Sequence, residues 1–148
     1  MKEINRFFLY YCVALAIFLT TATLSAEICP GAIASFSSET KILFDSKTGL
    51  EWKVGPDMDI CFLSAQTWIN SLGNGWQTPT RDQLRYLYLF LRESGKSLPF
   101  KDPRPWVWAT ATDSDFAWNV YFGSGFISWS KSRSFKFFRA MAVRKRKQ

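Results

Sequence analysis

Histidine is absent from all 148 residues. That removes His-based nucleophilic triads, His-ligated metal centres and the commonest general base. Cysteine is scarce: Cys12, Cys29 and Cys61 occur without any Cys-x-x-Cys pair, so a dithiol redox motif is missing as well. Acids are missing from the end of the chain. Residues 131–148 carry eight Lys or Arg and no Asp or Glu, whereas 27–130 carry nine bases and eleven acids. The net charge of +7 is therefore a C-terminal property, made of Lys131, Arg133, Lys136, Arg139 and the run Arg144-Lys-Arg-Lys147. No internal repeat and no low-complexity segment interrupts the chain.

What is present begins with an export signature. Lys2 and Arg6 precede an apolar run at 7–19 and the small-residue stretch Thr20-Thr-Ala-Thr-Leu-Ser-Ala26, so residues 1–26 read as a signal peptide. Cleavage is expected after Ala26, with Ala22 and Ser25 as alternatives because Leu24 suits the usual site poorly. Left uncleaved, the segment would be a membrane anchor, the one membrane contact expected. Neither Cys12 nor Cys29 follows a lipoprotein box. Removal leaves 122 residues, enough for one domain with a modest core: 27–39 as a lead-in and 40–146 as the domain. Cys29 and Cys61 then form an even pair in an oxidising compartment, where a disulfide is expected.

Periodicity divides the domain in two. A strand at 40–45, a turn ending at Gly49 and a returning strand at 50–52 predict a hairpin. Ala65, Trp68, Ile69 and Leu72 share one helical face, with Ser64 as the expected cap and Gly73 as the stop. The segment Gly75-Trp-Gln-Thr-Pro-Thr-Arg-Asp-Gln-Leu84 holds a complete helix start. Pro79 keeps Thr78 extended, Thr80 caps, and Gln83 completes a capping box, so a second helix starts at about Arg81 and ends at Gly95. After the loop 96–105 the period changes, and aromatic and β-branched runs at 106–110, 116–122, 126–129 and 137–143 predict successive antiparallel strands. The fold class expected is α+β, two helices packed on a small twisted antiparallel sheet.

Five segments in this order resemble one family. Asp45-Ser-Lys-Thr-Gly-Leu-Glu-Trp52, the Trp76-Gln-Thr-Pro-Thr80 start, Trp108-Ala-Thr110, Ala117-Trp-Asn-Val-Tyr-Phe-Gly-Ser-Gly125 and 139–144 are similar to the C-terminal domain of the Legionella-type collagen-like protein. The resemblance covers about 40–146 and implies a C-type-lectin-like fold. It also implies that Trp52, Trp76, Pro79, Thr80 and Trp118 are framework residues. Two departures stand out: Gln77-Thr78 replaces the usual Arg-Leu, and Met141 stands where the closing strand often has cysteine. The second fits pairing of Cys29 with Cys61.

The chemistry expected is non-catalytic, with no cofactor and no metal. A lectin-type calcium site needs several hard oxygens on one ion, and Trp118-Asn119-Val120 ends on a residue that cannot coordinate. Asp57 and Asp59 are too few ligands for calcium and read as a solvated loop. Asp113 and Asp115 are the one carboxylate pair open to glycoside chemistry, and read better as turn residues. Trp106, Trp129, Phe135 and Tyr121 lie outside the framework positions and are the candidates for an exposed sugar-stacking face. Lys131, Arg133 and Lys136 are the candidates for contacting an anionic ligand. The function expected is an exported binding module, periplasmic or at the cell surface, recognising glycan or another polyanion, with no specific nucleic-acid partner. The alternative is a structural subunit of an envelope assembly with a protein partner; the basic C-terminus reads equally as a solubilising tail.

Overall fold

The computed structural model describes residues 41–102, 105–131 and 135–147. The elements are β1 (Ile42–Asp45), β2 (Leu50–Val54), α1 (Phe62–Ser71), α2 (Arg81–Glu93), β3 (Trp106–Ala111), β4 (Phe116–Tyr121), β5 (Phe126–Lys131) and β6 (Met141–Lys145). They form an α+β domain. In place of the single sheet expected there are two three-stranded antiparallel sheets, ordered β1-β2-β6 and β3-β4-β5. The reason is the pairing of β6, which lies along β2 with Trp52 opposite Val143 and never joins β5. An isolated bridge from Val107 of β3 to Arg139, just before β6, ties the sheets together, and Gln77, ahead of α2, bridges Val143 of β6.

The hairpin β1-β2 turns where Asp45 accepts from Lys47 N (2.9 Å) and Gly49 takes a φ of +69°. The Thr48 hydroxyl also donates to Asp45, which is why this aspartate tolerates burial at 1% exposure. α1 starts earlier than expected. Cys61, not Ser64, is the N-cap, and no side chain caps the end; burial of Phe62 draws the first turn back. The Ser64 hydroxyl instead sits 3.4 Å from Cys61 Sγ. Cys61 is disulfide-bonded; Cys29, the partner expected for it, lies outside the described residues, as do the signal segment and the lead-in.

α2 starts at the residue the capping box predicts. Thr80 Oγ1 accepts from Gln83 N (3.1 Å), Thr80 N donates to Gln83 Oε1 (2.8 Å), and Gly95 at φ +64° follows the last turn. Leu84, Leu87 and Leu91 bury its apolar stripe between the sheets, against Trp52, Met141 and Val143 of the first and Val107 and Val120 of the second. A second core sits on the other side of β3 and β4, where α1 packs Phe62, Ala65, Trp68 and Ile69 on Trp108, Ala117 and Phe138. The last strand is displaced from the expected 137–143: Phe138 and Arg139 form only single bridges, to Ile60 and Val107, before β6 begins at Met141. Among the described residues no helix is long and apolar enough to cross a membrane.

Candidate functional site

β4 and β5 pair in register, so Phe116 faces Lys131 and Trp118 faces Trp129. Alternation along a strand then puts Trp129 and Lys131 on one side of the sheet, the side on which α2 packs. α2 covers only part of that side. Its first residue, Arg81, lies with its guanidinium 4.5 Å from the Trp118 ring centroid, while Trp129 meets Trp118 edge-on at 6.0 Å and stays 60% exposed. The result is a patch of two indoles flanked by Arg81 and Lys131. Among the described residues the only ion pair of Arg81 is with exposed Asp82, at 3.6 Å, a contact too weak to hold it back from a ligand.

The patch continues along the helix. Arg81, Arg85, Tyr88 and Arg92 recur at i, i+4, i+7 and i+11, one flank of α2, with Arg85 and Arg92 exposed. That flank borders the β4-β5 hairpin, since Tyr88 packs edge-on against Phe122 (6.2 Å) and lies where a side chain on Gly125 would collide with its ring. Asp82 and Glu93 are exposed on the solvent side of the helix, Asp82 within ion-pair reach of Arg81 at the end of the flank. Sequence reasoning missed Arg81 and Arg85. The spacing of the four residues is a signal that could have found them.

The other expected site residues are distributed differently. Trp106 is only half exposed: it stacks on Tyr121 (5.0 Å, 30°) and tilts against Phe138 (5.7 Å), on the opposite side from Trp129, which takes it out of an exposed face. Phe135 stacks on Phe138 (5.7 Å), and Lys136 is exposed beside it. Arg133 lies outside the described residues. Trp118, expected as buried framework, is half-buried beneath Arg81; Trp52 and Trp76 are buried, at 0% and 9% exposure.

The two arginines of the basic C-terminal run are engaged within the domain. Arg144 Nε donates to Glu51 Oε2 (2.8 Å), with its guanidinium 4.3 Å from the Trp76 centroid, and Arg146 lies over Phe44 (4.7 Å) and within 3.9 Å of Glu51. These two arginines latch β6 to β2. Arg139 likewise bonds Asp57 (3.1 Å) and Asp59, so the acidic loop is neutralised by an arginine. Asp113 accepts from Asp115 N (2.8 Å) and Phe116 N (2.9 Å), a turn that holds its carboxyl below the usual aspartate range. Asn119 is fully buried and gives Nδ2 to Ser130 Oγ (3.2 Å), leaving it unable to join an exposed cation site.

No family model matches this chain, and a comparison with curated proteins finds no match.

Proposed function

We propose that the chain is an exported, non-catalytic binding module of C-type-lectin-like fold that recognises an anionic glycan at the cell envelope or surface. The observation that carries the reading is the exposed Trp129, braced edge-on by Trp118 and flanked by Arg81 and Lys131. A flat indole complements the apolar face of a sugar ring, and the two cations complement its carboxylate or sulfate groups. The order of motifs from Asp45 to Arg144 supports the fold, and the apolar run at 7–19 supports export. The binding face moves from the C-terminal run to the α2–β5 side, because Arg144 and Arg146 already have partners. Retention of the mature protein on a heparin column tests the reading: Trp129→Ala and Arg81→Ser should each elute at lower salt, and unchanged elution of both would overturn it.

A second reading, a structural subunit of an envelope assembly, is favoured by a separate observation. Phe126, Phe135 and Phe137 are 60%, 44% and 70% exposed, more apolar surface than scattered single residues would give. Crosslinking in cells that captures a defined protein through Phe126 or Phe137 would support it; a monodisperse, partnerless monomer would count against it.

A further inference from the structure

The arginine flank of α2 ends at a cleft. Tyr88, Arg92, Lys96, Leu98, Phe122 and Gly123 line a cavity of about 250 Å3, below the roughly 300–1,000 Å3 of sites for drug-sized ligands. Its floor is apolar, with Leu98 and Phe122 at 3% and 8% exposure, and its rim carries Arg92 and Lys96 with no acid among the lining residues. From Arg81 to Arg92 is eleven residues of helix, about 16 Å at 1.5 Å per residue. The Trp129 patch and the cleft therefore stand at the two ends of one cationic track, with Arg85 between them.

We infer that the ligand is a linear, multiply charged glycan that lies along this track, with one sugar stacked at Trp129 and an acidic sugar held in the cleft by Arg92 and Lys96. The inference deepens the proposed function and rests on it. Two ends joined by a row of cations select for chain length, because a short oligosaccharide gains only the Trp129 end, whereas one that spans the track gains the second site without a second association cost. Arg92 and Lys96 also oppose the negative end of the helix dipole, so their replacement is expected to lower thermal stability slightly, apart from any effect on ligand.

Sulfated oligosaccharides of graded length, titrated calorimetrically into the mature protein near physiological salt, test the inference. Affinity should step up by about tenfold, equivalent to about 1.4 kcal/mol, once the oligosaccharide exceeds the 16 Å span. The double variant Arg92→Ser/Lys96→Ser should lose that step and keep wild-type affinity for the shortest binder, while Arg92→Lys/Lys96→Arg keeps the step. Affinity that rises smoothly with charge, or a double variant that weakens short and long chains alike, overturns the track and leaves the Trp129 patch standing. Equal binding of single-stranded DNA of matched charge overturns the glycan. No binding at any length overturns the proposed function and the track together.

Discussion

Arg81 rests its guanidinium 4.5 Å from the Trp118 centroid, one residue after the hydroxyl of Thr80 caps the same helix. Helix start and proposed binding face are thus one local structure. Replacing Arg81 with serine should weaken glycan binding and leave the capping box in place, whereas Thr80→Ala removes the cap. The cost of Thr80→Ala should be about 1 kcal/mol, a fall in melting temperature of about 4 °C or more for a domain of this size, measured by a circular-dichroism melt.

Trp129→Ala is expected to separate binding from stability. With its side chain 60% exposed, Trp129 contributes little to the core, so the melting temperature should stay within about 2 °C of wild type. Glycan affinity should fall by about tenfold or more, read by titration. A large loss of stability would show that the indole serves packing instead.

Arg144→Ala should destabilise the domain by about 1–3 kcal/mol in denaturant melts, because Glu51, 16% exposed, would lose the donor that its burial requires. Lys145→Ser/Lys147→Ser should leave stability unchanged. Both lysines are exposed. The double lysine variant is also the sound test of the terminal charge, since truncation after Val143 would remove the Arg144 latch along with it.

Asp113 should impose an acid limb on stability. Its carboxyl accepts from two backbone amides, so its folded pKa lies below the unfolded value of about 3.9. The stabilisation is present above that value and is lost as pH falls through the lower folded pKa. Wild type and Asp113→Asn should therefore differ at neutral pH and converge at the acid end. Urea midpoints measured across pH 2–7 check the sign, and divergence towards low pH would refute it.

The parts of the fold legible in sequence are those whose physics is local. Pro79, Thr80 and Gln83 lie within five residues, and their hydrogen bonds close without help from the rest of the chain. Gly49 fixed a turn for the same reason. The Ser64 cap failed because tertiary burial of Phe62 outweighed a weak local preference. The number of sheets was illegible because strand pairing is a long-range choice, here Trp52 with Val143 across 91 positions. So was the proposed binding face. Arg81 and Trp129 are 48 residues apart and meet only through the register of Trp118 with Trp129. Counting bases pointed to the C-terminus, yet charge in sequence does not reveal that Glu51, Trp76 and Phe44 already occupy Arg144 and Arg146.

The pairing of β6 with β2 has a consequence for how the domain comes into being. The final strand supplies Met141 and Val143 to one core and Ala142 to the other, and Val143 also meets Gln77 beside α2. Both cores close only once β6 has found β2, and contacts of such sequence separation form slowly. Until then the β1-β2 hairpin and both helices stand unlatched, and the docking of one strand completes both cores together.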